Sequence, residues 1–127
     1  MLIKWEQQPR GEGWDDIPDD VVVWLAVPLV EASFALDRSH YVGPYGAGAG
    51  QRGRYENIGR HFLSGRPIWM PHLGLSPEGT IEFTDGRHRF AWIRDHGAVA
   101  LPVTADPDGA AALVERYGTH LRECRVA

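Results

Sequence analysis

Gly86, Arg87, His88 and Arg89 follow directly on Asp85. They lie between the alternating run Ile81-Glu82-Phe83-Thr84 and an apolar-periodic run that begins at Phe90. The pattern predicts a strand, a tight turn on glycine, and a helix whose first turn carries Arg, His and Arg. Such a turn suits an anion, and a phosphate above all. A helix N-terminus offers unpaired backbone N–H groups and the positive end of the dipole. Basic side chains there oppose the dipole by about a few tenths of a kcal/mol each, a cost that a bound anion reverses. Gly86 lets the chain turn sharply and lets a ligand reach the backbone. Asp85 is placed to serve as N-cap, where its carboxylate would compete with a phosphate or help hold a metal beside it. The same residues also fit an ordinary strand-to-helix turn with solvated basic side chains.

If the turn does chemistry, His88, Arg89 and Asp85 are the candidate catalytic residues. Arg87, His88 and Arg89 would stabilise charge on a phosphoryl group. His88, with an ordinary pKa near ~6.5, would serve as acid or base. A divalent ion such as Mg²⁺ needs carboxylates. Asp85 abuts the turn, and Glu56 follows Tyr55 on a predicted helix. Glu56 and Glu82 fit solvent-facing positions equally well.

Residues 43–50 hold four glycines in eight, which predicts a surface loop or a backbone cradle. Arg52 or Arg54 beyond it would reach phosphates, and Tyr55 or Tyr45 would stack on a base. Both tyrosines also fit half-buried core positions, as does Tyr41. The loop is no P-loop, since Lys4 is the sole lysine. The histidines show no ligand spacing and Cys124 is the sole cysteine, so neither zinc nor haem is expected.

These residues sit in a chain of 127 residues with 43% hydrophobic content, enough for one compact core. The net charge of −4 argues against coating duplex DNA by charge alone. Charge is uneven. Residues 1–50 carry −5, residues 51–97 carry +2 with four of the six histidines, and residues 98–127 carry −1. The positive segment is the one that contains the turn. The N-terminus lacks a signal-peptide pattern, and the longest apolar run, residues 21–30, is too short to span a bilayer. A soluble, cytoplasmic protein with no membrane partner is expected.

The elements that must hold the turn read as follows. Residues 1–20 predict an irregular arm, with an acidic cluster at Asp15, Asp16, Asp19 and Asp20 and with Trp5 and Trp14 as anchors. Residues 21–27 predict a buried strand ending before Pro28. Residues 29–38 predict a short helix with Leu29, Ala32, Phe34, Ala35 and Leu36 inward. Tyr55, Ile58, Phe62 and Leu63 give residues 54–64 an amphipathic face, closed by Gly65. Residues 67–75 and 81–84, around Ser76-Pro77-Glu78-Gly79-Thr80, predict a hairpin. Residues 87–96 predict the helix after the turn, with Gly97 at its end. Residues 99–104 predict a strand that Pro102 places at an edge or bulge. Residues 107–117 predict a last helix with Ala111, Leu113 and Val114 inward. The fold class is mixed α/β (α+β): one domain over residues 21–127, a small mixed sheet flanked by helices, and an arm at residues 1–20.

The stretch Asp85-Gly86-Arg87-His88-Arg89-Phe90-Ala91, followed by a helix closed by Asp95-His96-Gly97 and an apolar strand around Leu101-Pro102-Val103, resembles the ParB/sulfiredoxin superfamily. The stretch from Ile81 to Val103 resembles its plasmid fertility-inhibition branch. The resemblance covers residues 54–104, with 81–97 the specific part. It implies phosphate binding by Gly86, Arg87, His88 and Arg89, with ATP or CTP as ligand or with nucleic acid. Sulfiredoxins carry a catalytic Cys where Arg87 stands, so that activity is not expected. Fertility-inhibition relatives are associated with ATP hydrolysis and DNA cleavage, which implies a metal-assisted phosphohydrolase acting in plasmid or mobile-element conflict. The alternative is a binding or inhibitor module without chemistry. It would use the same turn, or engage a basic protein partner through its acidic N-terminal half.

Overall fold

In the computed structural model, described over residues 1–9, 19–48 and 52–127, a four-stranded sheet carries the turn. Its strands are β2 (Val21–Ala26), β4 (His72–Leu75), β5 (Ile81–Asp85) and β6 (Ala100–Ala105), in the order β2-β6-β4-β5. A second sheet pairs β1 (Trp5–Glu6) in parallel with β3 (Ile68–Trp69). The helices are α1 (Val27–Phe34), α2 (Arg52–Leu63), α3 (Arg87–Asp95) and α4 (Pro107–Tyr117). The class is mixed α/β, as expected. No helix among the described residues is long and apolar enough to cross a membrane.

The hairpin forms around the predicted turn. β4 and β5 run antiparallel with Leu73 opposite Phe83 and Leu75 opposite Ile81. The Ser76 hydroxyl closes the turn by accepting the Thr80 N–H at 3.1 Å. The run at residues 67–75 is not one strand, however. Pro71 divides it. Ile68 and Trp69 pair with the N-terminal segment, while His72 onward joins the main sheet. The arm is therefore not irregular throughout, and Ile3 near its start is part of the core. The expected anchor Trp14 and the acids Asp15 and Asp16 lie outside the described residues.

Three further expectations need correction. β2 is an edge strand, and Val21 and Val22 are exposed. A run of β-branched residues looks alike in the middle and at the edge of a sheet. Pro28 does not merely end the strand. It stands in the first turn of α1, where its missing N–H costs nothing, and the buried face is Val27, Val30 and Phe34. On α4 only Leu113 is buried, and Ala111 and Val114 face water.

Pro102 lies in β6, an interior strand by order. The Thr104 N–H faces β4, donating to the Pro71 carbonyl at 2.9 Å. Strand N–H groups alternate sides, so Pro102 faces the same way two residues earlier. The β4 register there is His72 with Thr104, and Pro102 lies level with chain that precedes β4. The expected edge or bulge is therefore not found, and proline is tolerated in this interior strand because its missing donor lies beyond the start of β4.

α3 packs on α2 with Trp92 stacked on Phe62 (centroids 4.7 Å apart) and under His96 (3.9 Å). Gly59 permits that approach, since a Cβ there would stand 2.5 Å from Trp92 Nε1. On the other side Phe90 meets Phe34 and Phe83 edge-on or tilted. The Ser33 hydroxyl accepts the Ile81 N–H at 2.8 Å and ties α1 to the start of β5. Both ends of the strand-turn-helix unit are thus fixed by core contacts.

Candidate functional site

β5 ends at Asp85, and the chain reverses into α3 through Gly86, whose φ is +90°. Only glycine adopts that conformation without strain. A Cβ at this position would also stand 2.7 Å from Pro71 Cβ. The first α-helical bond is the Phe90 N–H to the Gly86 carbonyl, at 3.0 Å. The N–H groups of Arg87, His88 and Arg89 therefore have no acceptor within the helix. Among the described residues no side-chain cap bond is made at this N-terminus, and no acidic residue lies in the first turn.

Asp85 is thus not the N-cap. Its carboxylate accepts from Arg89 Nη2 at 2.8 Å, one helical turn on. Arg89 Nη1 also donates to the Trp69 carbonyl. The Arg89 side chain is only 11% exposed. The pair fastens the turn to β3 and largely spends both charges on each other.

A cavity of about 810 Å³ opens beside the turn, within the range of ligand pockets. Arg87, Asp85 and Gly86 line it, and α2 contributes Arg54 from over thirty residues earlier in the chain. His88 forms part of the wall but is only 4% exposed. Its Nε2 is closed off from solvent and has no hydrogen-bond partner among the described residues. Burial, and next the charges of Arg87 and Arg54, hold its pKa down at about 4. The imidazole is therefore neutral at pH 7. Arg54 and Arg87 bring positive charge to a wall that also carries Glu6 and Asp85, and the neutral His88 ring adds none.

The other expected residues separate. Glu56 is exposed and does not line the cavity that Asp85 lines. Tyr55 is buried, and its hydroxyl donates to Asp95 Oδ2 at 2.7 Å. Burial, then that carboxylate, push its pKa well up. Tyr45 is exposed but outside the cavity lining, and its backbone N–H donates to the same carboxylate at 2.8 Å. Neither tyrosine is placed to stack on a base in the cavity.

Asp95 and Arg94 form a hub that the sequence reading missed. Arg94 Nε donates to Asp95 Oδ1 at 2.9 Å, and its guanidinium reaches Glu31 and the carbonyls of Val42 and Gly43. The start of the glycine-rich loop is thereby pinned to the C-terminal end of α3, away from the Gly86 turn. Residues 49–51, the rest of that expected cradle, and the Arg52 side chain lie outside the described portion. The signal for the hub was weak, since adjacent Arg and Asp at a helix end read as solvated charge.

Trp69 was also missed. It lines the cavity and is 45% exposed, the most exposed of the described tryptophans. Its outward orientation depends on β3 pairing with β1, which nothing local announces.

Metal-ligand side chains do meet elsewhere. Among the described residues, Asp20, His72 and Asp106 gather within ligand spacing. Asp20 lies 3.5 Å from His72 Nδ1, which also contacts Thr104 Oγ1 at 2.9 Å, whereas Asp106 lies 3.6 Å from Nε2. One ligand atom from each residue lies within 4.8 Å of the other two, although the closest approaches of the two carboxylates are to different ring nitrogens.

No protein-family model matches this sequence, and no curated protein matches it. Among solved structures the fold is similar to that of the oncogenic suppression activity protein, a plasmid fertility inhibition factor. The TM-score is 0.63 and the identity 18%, over 98% of this chain and 71% of that one. At that identity the likeness is one of fold, and it agrees with the mixed α/β class read from the sequence.

Proposed function

We propose that the protein binds the phosphate of a nucleotide or nucleic acid at the N-terminus of α3. The observation that carries this reading is the first turn of α3, where the N–H groups of Arg87, His88 and Arg89 have no acceptor within the helix and no acidic side chain lies, beside a cavity that Arg54 and Arg87 also line. Arg87, His88 and Arg89 supply backbone donors, Arg87 and Arg54 supply charge, and Asp85 with Arg89 holds the turn in place. The fold likeness to a plasmid fertility inhibition factor, and the resemblance of residues 81–103 to that branch of the ParB/sulfiredoxin superfamily, support a role in mobile-element conflict. That step is an analogy of fold.

Hydrolysis assisted by Mg²⁺ does not follow from the residues present. Asp85 is committed to Arg89, and Glu56 stands outside the cavity lining. The reading is therefore binding, with turnover a separate question. The alternative, a protein partner at the acidic N-terminal half, gains no observation of its own.

Titration with ATP, CTP and a short single-stranded DNA, with and without Mg²⁺, tests the reading. Arg87→Ala removes a cavity arginine that has no structural ion pair in the described set, and is expected to weaken binding by roughly tenfold or more. Saturable binding that Arg87→Ala leaves unchanged would contradict the assignment.

A further inference from the structure

We infer that Trp69 is the platform on which the bound ligand's base stacks, so that the cavity takes a nucleobase together with its 5′ phosphate. The inference rests on the phosphate reading above and adds the group that recognises the rest of the ligand.

Strand alternation puts Ile68 into the core and Trp69 outward. The outward ring does not stand alone in solvent. It lines the same cavity as Arg87 and Arg54, beside Pro67, Ile58 and Ile68. The cavity thus combines cationic groups for phosphate with an aromatic, apolar part for a ring. Base stacking on an aromatic side chain needs only an accessible π-face, which Trp supplies more generously than any other residue.

The platform is also held in place. The Met70 N–H donates to the Glu6 carbonyl at 2.8 Å, and the Ile68 N–H to the Lys4 carbonyl at 2.9 Å. These bonds clamp the backbone on either side of Trp69. Arg89 then reaches from the first turn of α3 to the Trp69 carbonyl. Arg89 therefore ties the backbone of the strand that carries the platform to the turn. This gives Arg89 a positioning role. It couples the two halves of the site while its own charge is paired with Asp85.

The chemistry is shared by free nucleotides and by a single strand of nucleic acid, and the test separates them. Inorganic pyrophosphate, ATP, CTP and a short oligothymidylate are titrated calorimetrically against the wild type, Trp69→Ala and Trp69→Phe, with circular dichroism confirming that each variant is folded. The expected result is that Trp69→Ala weakens the base-bearing ligands by roughly tenfold, that Trp69→Phe restores most of the loss, and that pyrophosphate binding is unchanged. Whichever of the nucleotides and the oligonucleotide shows the loss is the source of the base. Pyrophosphate binding with no base-dependent loss would overturn the stacking inference and leave the phosphate site standing. Loss of pyrophosphate binding in Trp69→Ala would overturn it by showing a structural role. No binding of any ligand by the wild type would overturn both.

Discussion

Four residues of one turn divide into two pairs of tasks. Arg87 and His88 offer backbone N–H groups, and Arg87 adds a charge to the cavity. Asp85 and Arg89 neutralise each other and fix the turn. The sequence shows three basic residues in a row and cannot tell which of them is spent internally, because the carboxylate that claims Arg89 is chosen by helical geometry and by the position of the Trp69 carbonyl. Arg89→Ala is accordingly a stability variant first. It removes a charge-assisted contact from a largely buried side chain to the half-exposed Asp85, and another to Trp69, and should lower unfolding free energy by about 1–3 kcal/mol. Denaturant unfolding of Arg89→Ala beside Arg87→Ala checks this. Equal stability of the two variants would show that the ion pair does not hold the turn.

At the scale of elements, the unit β5-turn-α3 is placed by close helix packing. Gly59 on α2 lets Trp92 of α3 approach, and a methyl group there would collide with the indole nitrogen. Gly59→Ala should cost about 1–3 kcal/mol through overpacking and should also weaken ligand binding, because α2 carries Arg54 to the cavity. Thermal unfolding together with pyrophosphate titration reads both effects, and an unaltered melting temperature would contradict the packing. The unit itself was legible. Alternation at residues 81–84, glycine at 86, helical spacing from Phe90 and glycine at 97 each have a local physical cause, and the structure has them in those places. The neighbouring pieces were less so. Pro71 splits what reads as one strand, and β2 stands at an edge although its residues read as buried. Tyr55 and Tyr45 answer to Asp95, forty or more residues away. Those features depend on pairings between distant segments, and a local pattern carries no record of them.

Over the whole molecule, the protein keeps a neutral imidazole inside a basic region. His88 has a folded pKa of about 4, against about 6.5 when unfolded. Between these values the unfolded chain binds the proton and the folded one does not. The contribution of His88 to stability is therefore complete above pH 6.5 and is lost as pH falls toward 4, by up to about 3 kcal/mol. Urea unfolding at pH 7 and pH 5 should show a steeper loss for the wild type than for His88→Leu, and parallel losses would contradict the burial of a neutral ring. The same neutrality means that the proposed anion site depends on arginines and backbone donors, whose charge does not change near neutral pH. The most direct measurement of the central claim is a titration of the ¹⁵N-labelled protein with inorganic pyrophosphate, followed by the backbone amide resonances. The amides of Arg87, His88 and Arg89 should shift together and saturably, with the side chains of Arg87 and Arg54, while the Asp95 hub and the Asp20, His72 and Asp106 cluster stay still. Saturable shifts elsewhere with the α3 turn unmoved, or no shifts at all, would contradict it.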